Sequence, residues 1–188
     1  MKSEFYDKLS INPIIAAVKD EEALEKAIKS PCEVIFLLKG NICNIEEIVN
    51  KVKAEGKNIY VHMDLMDGFG KDAFAIKYMK ERVNPSGIIT TKSNLVKISK
   101  EMNMFCIQRL FMIDNLSLET GVNSINSIRP DAVEIMPGIM PKITRKIKGQ
   151  TKVPIIAGGL IIDKEDVIES LKAGAMGIST SREEIWEM

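Results

Sequence analysis

Two short segments carry the residue types that grip an anion. Ala157-Gly158-Gly159-Leu160 and Gly177-Ile178-Ser179-Thr180-Ser181 each set glycine beside small or hydroxyl-bearing residues. Glycine lets backbone N–H groups approach a bound group closely, hydroxyls add donors, and a helix start just beyond adds a positive dipole end; together these suit phosphate. A lone Gly-Gly is equally well a tight turn between a strand and a helix, so the weight falls on the pairing of the two segments. On that pairing, Gly158, Gly159, Ser179, Thr180 and Ser181 form a phosphate-binding set for a phosphorylated small molecule.

Other polar residues sit where a strand would end. His62, the only histidine, and Asp64 are two apart, a spacing that puts both on one side of an extended strand. Two readings stand: an acid–base pair, or a core histidine beside a turn-capping aspartate. Arg109 and Glu134 likewise fit either a buried structural ion pair or direct ligand contacts. Thr91-Lys92-Ser93 and Lys39-Gly40-Asn41 follow two further strand-like runs. The carboxylates Asp64, Asp67, Asp72 and Glu134 form no compact metal-binding motif. No metal and no cofactor is expected.

The elements that must position these groups recur with a steady beat. Eight short apolar, β-branched runs begin at Ile14, Val34, Ile59, Gly87, Phe105, Ala132, Pro154 and Met176. Between them lie segments with one apolar stripe at helical spacing, such as Ile45, Ile48, Val49 and Val52. Strands apolar on both faces and alternating with helices imply a parallel sheet with right-handed crossovers. Eight such units predict a compact (βα)8 TIM-barrel-like single domain over 1–188, with 1–12 as a terminal cover; an open doubly wound sheet is the runner-up. At 188 residues the chain is below the ~200–250 usual for such barrels, so its helices and loops must be short. In a parallel barrel the strand ends converge on one mouth, which is where both glycine corners belong.

Composition bounds the rest. The chain has 26 basic and 26 acidic residues, and 45% of it is apolar, which excludes a disordered chain. No apolar run approaches the ~18 residues of a membrane span, and the first residues lack a secretory pattern, so a cytoplasmic protein with no membrane partner is expected. Three widely separated cysteines support neither a disulfide framework nor a CxxC site. From Ile135 to Ile162 there are five basic residues (Lys142, Arg145, Lys146, Lys148 and Lys152) and no acidic one. That run reads either as a solvated helix face or as a surface for RNA phosphates.

Taken in order, Pro13–Ala17, Val61–Leu65, Pro85–Ser93, Ile107–Phe111, Pro130–Gly138, Ala157–Ile161 and Ser179–Ser181 resemble the glycerol uptake operon antiterminator family, regulators that respond to glycerol-3-phosphate. The resemblance runs nearly end to end. It implies a barrel that binds glycerol-3-phosphate, regulates glycerol genes through their leader mRNA and has no catalytic turnover. With it, His62, Asp64, Lys92, Arg109 and Glu134 become candidates for reading the glycerol moiety. Lys142, Arg145, Lys146, Lys148 and Lys152 become candidates for RNA, a role the resemblance itself does not assign. Coupling of the two ligands calls for a change of state, for which a homodimer or an ordering loop would serve. Arg182 departs from the family pattern, in which Asn often follows the Thr-Ser pair, and the residues around Lys39 differ among relatives. From the residues alone, two rivals remain: a phosphate-barrel enzyme, an isomerase or a glycerol-phosphate prenyltransferase, and a ligand-binding module acting through a protein partner.

Overall fold

The computed structural model describes residues 2–188 and is a closed barrel of eight parallel strands. The strands are β1 (Ile14–Val18), β2 (Val34–Leu37), β3 (Asn58–His62), β4 (Gly87–Thr90), β5 (Cys106–Phe111), β6 (Ala132–Met136), β7 (Ile155–Gly158) and β8 (Gly177–Thr180). Each pairs with its sequence neighbours, and β1 closes on β8 through Ile14–Ile178, Ile15–Ser179 and Ala16–Thr180. The open-sheet alternative is therefore excluded.

Alternation along each strand separates two cores. Ile15, Val34, Phe36, Tyr60, Ile89, Phe105, Ile107 and Ile156 fill the barrel interior. Their neighbours Ile14, Ile35, Val61, Ile88, Cys106 and Ile178 pack outward with the helices. Those helices are α2 (Glu21–Lys29), α3 (Ile45–Ala54), α4 (Ala73–Tyr78), α5 (Ser93–Glu101), α6 (Asn115–Ile128), α7 (Pro141–Lys148), α8 (Lys164–Lys172) and α9 (Glu183–Trp186), preceded by α1 (Lys2–Ile11). Phe5 and Leu9 of α1 are buried in the interior cluster. The Phe5 ring lies 5.0 Å from Tyr60 and 4.9 Å from Phe105, centroid to centroid.

Helix starts lie at the mouth of the barrel, and aspartates cap them. Asp20, Asp72, Asp114 and Asp163 each accept a backbone N–H of the first turn, and Asp114 completes a capping box with Ser117. Asp72, one of the carboxylates singled out in the sequence, is thus committed to a helix, as is Asp114.

Helix α4 runs on into a wider π-type turn over Met79–Val83, ended by left-handed Asn84 (φ 50°). Cys32 and Cys106 are buried and Cys43 is exposed. No helix among the described residues is long and apolar enough to cross a membrane.

Candidate functional site

The β5–β8 sector of the mouth, with the end of β1, encloses a cavity of about 370 Å³. Both glycine corners line it: Gly159, Leu160, Ile161 and Ile162 from the end of β7, and Ser179, Thr180, Ser181 and Arg182 from the end of β8. Gly159 and Leu160 both have left-handed backbones (φ 75° and 61°), which turns the chain sharply across the cavity rim. Glycine also suits 159 because a Cβ there would stand 2.6 Å from Met136 Cε, so the end of that side chain would have to shift. Gly138 N donates to Gly159 O at 2.9 Å, anchoring the turn to the end of β6.

The second corner is held by its own hydroxyl. Thr180 points away from the barrel axis, and its Oγ1 donates to Ile161 O (3.1 Å) while accepting from Arg182 N (3.1 Å). Trp186 Nε1, buried in α9, donates to Thr180 O at 2.9 Å. Thr180 thus ties the two corners together with the oxygen the sequence reading assigns to phosphate. Ser179 faces inward, and Ser181 is exposed at the rim. The helix expected to aim its dipole here, α9, is only four residues long and carries Glu183 and Glu184 in its first turn. Its contribution to anion binding is correspondingly small.

Arg109 and Glu134 form the floor. They are register partners on β5 and β6, and alternation points both inward. Arg109 Nε donates to Glu134 Oε2 at 2.6 Å, and both side chains are nearly inaccessible. Glu134 Oε1 is left without a hydrogen-bond partner. Buried carboxylate oxygens are normally satisfied, so this unpartnered acceptor stands out in the floor.

The remaining glycerol candidates lie elsewhere. The chain leaves β3 after His62 into a tight 3-10 turn over Met63–Leu65, so strand alternation does not carry through to Asp64. Asp64 instead accepts from Thr90 Oγ1 (2.8 Å), Thr91 N (2.7 Å) and Thr91 Oγ1 (2.7 Å), tying β3 to β4. Burial pushes its carboxyl upward, but those three hydrogen bonds outweigh burial and hold it below the usual aspartate value.

His62 is buried, with Nδ1 unpartnered. Burial first, then the positive charge of Arg109, lower its pKa to about 4, against the pull of Asp64, so it is neutral at pH 7. His62 and Asp64 do not line the cavity, and they make no hydrogen-bonded acid–base pair. Lys92, exposed before α5, is also outside it. Lys39 lines a separate cleft between α2 and α3.

Lys19, which strand-end reasoning passes over, lines the cavity from the residue just after β1, and Arg182 joins it from β8. With Arg109 they set three cations against the single carboxylate of Glu134. A surplus of positive charge around backbone donors is what a phosphate monoester, close to a dianion at pH 7, requires. Among the described residues no group of three or more His, Cys, Asp or Glu side chains is placed to hold a metal ion.

Residues 14–186 match the model of the glycerol-3-phosphate responsive antiterminator family. The chain belongs to that family. A relative from Escherichia coli (strain K12), the uncharacterized protein YgcP, is 39% identical over 177 residues, which cover 94% of this chain and 93% of the relative. The crystal structure of the glycerol uptake operon antiterminator regulatory protein from Listeria monocytogenes superposes with a TM-score of 0.90 at 34% identity, covering 94% of this chain and 95% of that one. A glycerol uptake operon antiterminator-related protein from Thermotoga maritima does so with a TM-score of 0.84 at 34% identity, over 93% of this antiterminator-family chain and 98% of its own. Family membership places the chain among transcription regulators of glycerol metabolism.

Proposed function

We propose that this antiterminator-family chain senses glycerol-3-phosphate in the β5–β8 cavity and, when loaded, acts on the leader mRNA of glycerol-utilisation genes. One observation carries the reading: both glycine corners, three cations and the buried Glu134 carboxylate, whose Oε1 has no hydrogen-bond partner, line one cavity. Its volume, about 370 Å³, lies at the small end of the ~300–1,000 Å³ range of ligand pockets, which suits a three-carbon phosphate better than a drug-sized molecule. The phosphate sits between the Gly159–Leu160 turn and Ser181, with Lys19 and Arg182 over it. Ser179 lies beneath, Thr180 braces the pocket from outside, and Gly158 makes room for the floor. The glycerol hydroxyls reach down to Glu134 Oε1 and Arg109.

His62, Asp64 and Lys92 act around this pocket rather than in it. His62 stays neutral beside Arg109, and Asp64 fixes the neighbouring β3–β4 junction. The cavity's single carboxylate is tied to Arg109 and no histidine lines it, an arrangement suited to holding a ligand and poor for shuttling a substrate proton.

Antitermination requires that metabolite and RNA be linked thermodynamically. The basic residues Lys142, Arg145, Lys146, Lys148 and Lys152, on and after α7, are the candidate RNA contacts. Calorimetric titration with glycerol-3-phosphate, inorganic phosphate and glycerol tests the sensor, and leader-RNA binding with and without the metabolite tests the regulator. Tightest binding of glycerol-3-phosphate, and RNA affinity that changes when it is present, are expected. Equal RNA affinity in both conditions, with no change in oligomeric state, would remove the mechanism.

A further inference from the structure

At the opposite end of the barrel from the metabolite cavity, the base carries an open groove of about 1,050 Å³ between α1 and the C-terminal ends of α5, α6 and α7. Four cations line it: Lys100 from α5, Arg129 after α6, Lys148 at the end of α7, and Lys152 in the loop before β7. All four residues are exposed. The one acidic residue in the lining, Asp131, is only 8% exposed, and its Oδ2 accepts the Cys106 N–H. The amide-bearing Asn126 and Gln150 add neutral donors and acceptors along the same wall.

Two of these residues lie in the basic run after β6, whereas Lys100 and Arg129 come from earlier helices. The fold therefore gathers a charged strip from parts of the chain far apart in sequence.

Arg129 makes the strip more than a by-product of helix ends. It occupies the left-handed position that closes α6 (φ 55°), where glycine is the unstrained choice. Its Nε donates to Asn126 O at 3.4 Å, a long contact that does little to explain a large charged side chain at a strained position. Strained backbone positions cluster at functional sites.

Building on the proposed regulatory function, we infer that this basal groove takes the sugar–phosphate backbone of single-stranded leader RNA, with Arg129, Lys148 and Lys152 on successive phosphates. The metabolite and the RNA then occupy opposite ends of one barrel. Strand β6 spans the distance: Asp131 borders the groove just before the strand begins, and Glu134 lies on the cavity floor three residues on.

The test uses the full chain saturated with glycerol-3-phosphate and a transcript of the glycerol uptake operon leader from the same genome, titrated between about 50 and 200 mM salt. The double variant Lys148→Gln/Lys152→Gln is expected to reduce the slope of log affinity against log salt by about 1.4, two single-strand phosphate contacts at roughly 0.7 each. Arg129→Gly removes the charge and relieves the left-handed strain, so it is expected to bind RNA several-fold more weakly while melting no lower than the parent. A merely structural arginine would give the reverse. Lys77→Gln, exposed on α4 and outside the groove lining, is expected to leave the slope unchanged.

If the parent protein binds the transcript but the groove variants keep its affinity and slope, the groove assignment falls and the regulatory reading stands. A slope loss for Lys77→Gln as large as that of the groove variants also sinks the assignment. If the parent binds no transcript with or without metabolite, the RNA half of the regulatory reading falls and takes the groove with it.

Discussion

Glu134 and Gly158 face each other across β6 and β7 so closely that a Cβ added at Gly158 would overlap Glu134 Oε1. The glycine read in the sequence as an anion-binding backbone therefore has a further task. It gives a buried carboxylate the space to pair with Arg109 through Oε2 while Oε1 lies unpartnered against the glycine. Gly158→Ala is expected to push Glu134 off Arg109, costing about 1–3 kcal/mol from overpacking alone. It should also abolish glycerol-3-phosphate binding. Denaturant unfolding and calorimetry on the same sample check both effects.

Glu134→Gln separates the two ends of the ligand. The amide keeps the shape but leaves the Arg109 charge uncompensated and gives up a charge-assisted bond to a glycerol hydroxyl, worth about 1.5–3 kcal/mol. Affinity for glycerol-3-phosphate should fall roughly 10- to 100-fold, whereas inorganic phosphate should bind as well as before or better. A parallel loss of both ligands would place the carboxylate in a purely structural role.

Thr180→Val tests the brace between the corners. It removes the hydroxyl that joins Ile161 O to Arg182 N while keeping the side-chain shape. Two orphaned backbone groups in a site this buried should cost about 1–3 kcal/mol. Phosphate binding should weaken through misplacement of both turns. Thr180→Ser, which keeps the oxygen, should retain most of both properties.

Acid should weaken the fold through His62. Its pKa is lowered to about 4 by burial and by Arg109, below the 6.5 of an unconstrained histidine. Between those values the unfolded chain takes up a proton that the folded one refuses. Stability should thus be full above pH ~6.5 and fall as pH drops toward ~4, by on the order of 3 kcal/mol in all. Asp64, also held below its ordinary value, adds a loss at still lower pH. Urea midpoints measured from pH 7.5 downward should show this slope, and His62→Leu should flatten its upper part.

Much of this was legible in the sequence, because the barrel's logic is periodic. The eight apolar runs mark all eight strands to within a residue or so, since strands buried on both faces leave a plain signal. The meeting of the two glycine corners follows from parallel closure, which brings the ends of β7 and β8 side by side. What period cannot show is where the chain leaves its period. The Met63–Leu65 turn rotates Asp64 out of the strand pattern and toward Thr90 and Thr91. Gln108, beside Arg109 in sequence, points outward to Ser93 and Ser124, because adjacent strand residues face opposite ways. Lys19 sits one residue past β1 with no motif around it, and only three-dimensional closure brings it to the cavity.

A crystal structure of the protein soaked with glycerol-3-phosphate tests the central claim most directly. Phosphate density between the Gly159–Leu160 turn and Ser181, with a glycerol hydroxyl within hydrogen-bond distance of Glu134 Oε1, is the predicted result. Density for the ligand beside Asp64 and Lys92, or in the basal groove with the mouth cavity empty, would contradict it.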